Sequence, residues 1–166
     1  MALFGQNWIL VAAGTGNLEF AKELIQKGAD VNKRQDNFTP LFLALQKGYW
    51  DMATLLLQNG ANFEDEKYKQ KIFPLHQASF HGHLELVKIL LQKGFHVNAQ
   101  HPLRFTPLHC AAQNGHLEVA KLLLQNGAQI NCRNSNNDSP LDLAHRFDQP
   151  EMVKLLLENG VEHSTF

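Results

Sequence analysis

Prolines and glycines recur along this chain with a fixed period, and few folds accommodate such a rhythm. Pro40, Pro74, Pro107 and Pro140 are separated by 34, 33 and 33 residues. Gly60, Gly94, Gly127 and Gly160 each follow their proline by 20 residues, with Gly28 as an earlier member of the series. A second series, Gly16, Gly48, Gly82 and Gly115, keeps the same period. Nine of the eleven glycines therefore occupy two repeat positions, so they carry architecture before anything else. A period of this length marks stacked copies of one supersecondary unit, none of which can bury its apolar face alone.

Five units account for nearly the whole chain, at approximately 1–33, 34–67, 68–100, 101–133 and 134–166 of one domain spanning 1–166. The single insertion (around Lys67) and the single deletion (before Gln35) both fall between a glycine and the next proline. Length changes there belong to a connection, since inside a helix they would rotate every later side chain off its face. Thr39, Thr106 and Ser139 precede proline and suit N-caps with proline at the first helical position, and Asn7 offers the same cap in the first unit. A short first helix should end near Gly16, Gly48, Gly82 or Gly115. The second helix carries one apolar stripe, Leu84, Val87, Leu90 and Leu91, or Leu117, Ala120, Leu123 and Leu124. It should stop where the later glycine takes the left-handed conformation. The remaining dozen or so residues allow an extended, hairpin-like connection but no third helix. The expected class is an all-α repeat.

These residues resemble the ankyrin repeat. The likeness is carried by Thr106-Pro107-Leu108-His109, Gly115-His116-Leu117-Glu118 and Asn126-Gly127-Ala128, then Ile130-Asn131. The third unit repeats it through Pro74-Leu75-His76, Gly82-His83-Leu84-Glu85 and Val97-Asn98. The resemblance implies a solenoid of L-shaped helix-turn-helix units with a β-turn or hairpin projecting sideways. The first unit lacks the Thr-Pro-Leu-His motif, and the last has Asp142 in place of histidine and Pro150 at an otherwise apolar position. Both departures suit terminal caps, and with Met1 they lead to the expectation of a self-contained, monomeric chain.

Little in the sequence points to chemistry. A formal net charge of −1 does not suit a protein that grips nucleic acid through bulk charge. Cys110 and Cys132 make no disulfide framework, so a reducing, cytoplasmic setting is expected. The apolar run Trp8–Ala13 fits neither a signal peptide nor a membrane span. Nine histidines invite a metal reading. The resemblance implies structural hydrogen-bonding roles for His76, His83, His109 and His116. The others, His81, His96, His101, His145 and His163, are scattered, and His81 with His83 makes a poor ligand set. No phosphate-binding or nucleophile motif is present. No catalytic residue, metal or cofactor is expected, and an enzyme or metal protein is the least favoured reading. The charged run Glu64–Lys71 reads as a solvated connection ahead of a binding element.

The ankyrin resemblance implies a non-enzymatic scaffold that binds a protein on the concave face formed by connection tips and first helices. The residues expected there are Phe38, Lys69, Lys71, Ile72, Phe80, His81, Leu103, Arg104, Phe105, Gln113, Asn114, Arg146 and Phe147. Phe38, Ile72 and Phe105 stand before the caps, flanked by Lys69, Lys71, Arg104, Arg133 and Arg146, as in a hot-spot strip with a charged rim. Packing of these rings against the neighbouring repeat is the competing reading. Phe80 favours binding, because its counterparts Gly14, Gln46, Gln113 and Arg146 show that packing demands no ring there. Lys71 and Arg104, like Asn37 and Asn137, stand where the family has a glycine of positive φ. Either those two turns use another geometry or the basic side chains serve a partner. The resemblance also marks Asn32, Asn98 and Asn131 as candidate hydroxylation sites, although a structural role in the turn is favoured. Two alternatives remain: a regulator acting by occlusion, like ankyrin-type kinase inhibitors, and an effector secreted by an intracellular bacterium.

Overall fold

A computed structural model describes residues 7–63 and 73–161. Those residues form an all-α structure of ten helices in two compact units, one within 1–72 and the other within 73–166. The first unit holds α1 (Trp8–Thr15), α2 (Leu18–Gln26), α3 (Pro40–Lys47) and α4 (Trp50–Gln58). The second holds α5 (Pro74–His81), α6 (Leu84–Gln92), α7 (Pro107–Gln113), α8 (Leu117–Gln125), α9 (Pro140–Arg146) and α10 (Pro150–Val161). No helix among the described residues is long and apolar enough to cross a membrane.

Local chemistry starts each first helix. The side-chain oxygens of Thr39, Thr106 and Ser139 accept the backbone N–H of Phe42, His109 and Asp142, with proline behind each cap. Asn7 departs from the expected cap: its amide donates to Gln35 Oε1 at 2.6 Å and makes no capping bond. At α5 the cap position is taken by Phe73, which has no oxygen to offer and sits at φ 48°.

Packing follows the period. Within each unit, first helices lie against first helices, α1 on α3, then α5 on α7 and α7 on α9. Ala12, Ala44, Ala78, Ala111 and Ala144 recur at one position of these helices and are fully buried. A methyl group there lets the helix backbones approach closely. Leu41, Met52 and Leu56 anchor the core of the first unit, and Leu75, Leu86, Leu90, Leu108, Leu123 and Met152 that of the second.

The turn after α5 has no room for a larger residue. Gly82 has φ 75°, and a Cβ there would lie 2.5 Å from His116 Nδ1. That ring cannot swing aside freely, because its Nε2 donates to the Phe80 carbonyl at 2.9 Å. Gly82→Ala should therefore cost about 2 kcal/mol, combining the left-handed penalty with loss of the bond. Urea unfolding of the variant measures it.

Two sequence expectations need correction. Gly160 does not end its helix, for α10 continues through it to Val161. Glycine permits both conformations, so its position alone does not select the left-handed one. The connections also fall short of hairpin ladders. Among the described residues the one bridge joins Gln35 and Phe38, and the other tips close as single tight turns. One turn runs from His101 to Phe105 and another from Asn134 to Asp138, each closed by one backbone bond between those residues.

Candidate interaction face

The repeated histidines serve as framework. His76 Nε2 donates to the Phe105 carbonyl at 3.0 Å, and His109 Nε2 to the Asp138 carbonyl at 3.1 Å, each reaching the tip of the next repeat. His109 Nδ1 accepts the Thr106 N–H at 3.1 Å and its hydroxyl at 2.9 Å. Burial lowers the pKa of both rings below the ordinary 6.5, against hydrogen bonds that favour the proton. In the last repeat Asp142 does part of the same work, its Oδ2 accepting the Ser139 N–H at 2.8 Å. His116 on the Phe80 carbonyl has its counterpart in Gln149, which donates to the Gln113 carbonyl at 3.4 Å.

The remaining polar candidates divide in the same way. Asn32 donates to the Gly60 carbonyl at 3.0 Å and accepts the Asn62 N–H at 2.9 Å. Asn98 bridges Gly127 and Gln129 identically, at 3.0 and 2.8 Å. Asn131 is exposed. Among the described residues no three His, Cys, Asp or Glu side chains gather as a metal site requires. Burial pushes the Cys110 thiol up to about 12. Cys132 is also raised by burial, and its thiol donates to the Gln129 carbonyl at 3.0 Å. Neither supplies a thiolate near neutral pH.

In the second unit, the ends of the first helices and the neighbouring tips expose apolar side chains. Phe80 is 39% exposed, Leu103 58% and Phe147 45%. Phe147 is the residue just past the end of α9. The Phe80 ring lies 5.1 Å from that of His81, which is also exposed. The Leu103 carbonyl accepts the Ser135 N–H at 3.0 Å, so the tips of the fourth and fifth repeats adjoin. Gln113 and Asn114 are half-buried between these groups, and Asn114 is tied to the Cys110 carbonyl at 3.1 Å.

The rings before the caps do not behave alike. Phe105 is half-buried against His109 of its own repeat, with ring centroids 5.5 Å apart. In the first unit Phe38 is exposed and stacks on Phe42 at 5.3 Å. Lys69, Lys71 and Ile72 lie outside the described residues. Sequence reading overlooked Phe73, whose ring sits 4.7 Å from His101 and 5.7 Å from His76. Its signal was an aromatic residue where a hydroxyl cap belongs.

The arginines also separate. Arg146 grips Asp138 with two hydrogen bonds of 2.7 and 2.5 Å, and this contact above all holds the Asp138 carboxyl below its ordinary pKa. Arg133 donates to the Asn137 carbonyl at 2.7 Å and to Asp142 at 3.3 Å. Arg104 is exposed, with φ 58° and no carboxylate partner among the described residues. Its turn keeps the left-handed geometry, as do those of Asn37 at 67° and Asn137 at 66°.

Comparison with known proteins agrees with this architecture. A family model described as ankyrin repeats (3 copies) matches residues 2–67 and 75–166. Among similar proteins, alpha-latrocrustotoxin-Lt1a of Latrodectus tredecimguttatus is 38% identical over 46% of this chain, which spans 5% of that protein. The ankyrin repeat and KH domain-containing protein mask-1 of Caenorhabditis elegans is 31% identical over 52% of the chain and 3% of its own length. The probable 26S proteasome regulatory subunit p28 of Saccharomyces cerevisiae is 34% identical over 51% of the chain and 38% of its own length. The chain thus covers well under two thirds of each of these relatives. With the match to the family model, the capped helix pairs and the repeated histidine and asparagine bridges, the chain belongs to the ankyrin repeat family.

Proposed function

We propose that the chain is a non-catalytic scaffold that captures a segment of a partner protein against the tips and first-helix ends of residues 73–161. Ankyrin repeats imply a protein-interaction role in general. The observation that carries this placement is the exposure of Phe80, Leu103 and Phe147 among residues otherwise committed to the framework. No repeat contact requires a ring at position 80, where the following repeats have Gln113 and Arg146. Large apolar side chains presented beside charged ones are the usual anchors of protein interfaces. Asn131, exposed and making no bridge like those of Asn32 and Asn98 among the described residues, is the asparagine best placed for hydroxylation.

The test is a paired affinity capture with quantitative mass spectrometry, using the wild-type chain and a Phe80→Ala/Arg104→Glu variant shown folded by circular dichroism. A protein recovered by the wild type and depleted at least tenfold with the variant is the expected result. Equal recovery by both baits would overturn the placement of the site. Absence of any specific protein would count against the scaffold reading itself.

A further inference from the structure

Resting on the reading above, we infer that the partner segment places a carboxylate beside a large apolar side chain, and that Leu103–Arg104 is the element that receives it. Three observations converge on this pair. Leu103 is the most exposed of the large apolar residues described, and Arg104 follows it directly in the same tight turn. Arg104 occupies a left-handed conformation that glycine or asparagine adopts with less strain, as Asn37 and Asn137 do at the matching positions. A strained residue kept at an exposed turn points to a role outside the fold. Among the described residues, Arg104 has no carboxylate partner, unlike Arg133 and Arg146.

Charge is arranged to suit an acidic ligand. The Asp138 side chain is 9% exposed and that of Arg146 is 55% exposed, so this ion pair turns its guanidinium to solvent. The repeated carboxylates Glu85, Glu118 and Glu151 sit instead at the starts of the second helices. The carboxylates of the adjoining fifth repeat, Asp138 and Asp142, are already bonded to Arg146 and to Arg133 and Ser139, and Asp148 is exposed beside Phe147, which leaves the carboxylate contact to the Leu103–Arg104 end. An arginine fork binds a carboxylate through two parallel hydrogen bonds, while leucine covers the adjoining apolar group.

A phage-displayed random dodecapeptide library, panned on the wild-type chain, supplies the probe. Enriched peptides are expected to carry Asp or Glu within three residues of an aromatic or large aliphatic residue. A fluorescent copy of one such peptide should bind Arg104→Glu at least tenfold more weakly, and a copy with its carboxylate changed to lysine should recover on that variant. Arg104→Gly should weaken binding severalfold while raising the melting temperature by a few degrees, which a merely structural arginine would not do. Failure to enrich carboxylate-bearing peptides, or equal affinity for wild type and Arg104→Glu, would overturn the inference. If such peptides still lose affinity for Phe80→Ala, the scaffold reading survives that failure. If they lose affinity for neither variant, both readings fall.

Discussion

Leu90→Ala is expected to lower the free energy of unfolding by about 2–5 kcal/mol, read from urea denaturation. Leu90 lies on α6 with no accessible surface, and Leu86, Val87 and Leu123 are buried just as completely. Removing its branched end would leave a cavity in a stack whose members contact only their neighbours. No distant part of the chain can compensate. Leu157, on α10, supplies the control: it is 48% exposed, and Leu157→Ala should cost under about 1 kcal/mol. The contrast checks the assignment of the apolar stripe to the core, since a slip of one helical position would reverse it.

His109→Ala should cost about 3–4 kcal/mol for a different reason. The ring is fully buried, and its loss would orphan the Thr106 N–H and leave the Asp138 carbonyl with only the Asn134 N–H. Protonation tests the same site. The folded pKa values of His76 and His109 are lowered, chiefly by burial, below the 6.5 of an open chain. Below that value the unfolded chain takes up protons that the folded chain refuses. Their contribution is therefore complete above pH 6.5 and is lost as pH falls through the folded pKa values. The urea midpoint should drop between pH 7.5 and pH 5.5, and His76→Gln/His109→Gln should flatten that slope. Asp138 and Asp142 act in a separate window. Arg146 holds the first below its ordinary pKa of 3.8 and the Ser139 bonds hold the second, so their contribution is lost only under stronger acid.

The architecture was legible because it depends on residues with narrow conformational roles. Proline after a hydroxyl starts a helix, and glycine in the left-handed region ends one, so their period spells out the repeat before any contact is known. Even the substitution of Asp142 for histidine was visible, and the structure shows the carboxylate accepting the Ser139 N–H. The interaction face was less legible. Arg146 and Arg104 look alike in sequence, yet one is clamped on Asp138 and the other stands apart. That difference depends on which carboxylate the fold brings within reach, and spacing does not encode it. Phe105 and Phe80 likewise differ in what their rings meet: the first lies against the buried His109, while the second, beside the exposed His81, is left on the surface. Asn7 was misread as a cap because its preferred partner, Gln35, comes from the next repeat.

Site-specific photocrosslinking tests the central claim most directly. A benzophenone amino acid would be placed in turn at Phe80, Gln113 and Phe147, and separately at Lys88, Lys121 and Lys154. The three lysines are exposed and belong to second helices. Crosslinks to one protein from the first set and none from the second are the predicted result. Crosslinks confined to the lysine positions would contradict the account, leaving the ankyrin fold intact and moving its working surface to the other side of the repeats.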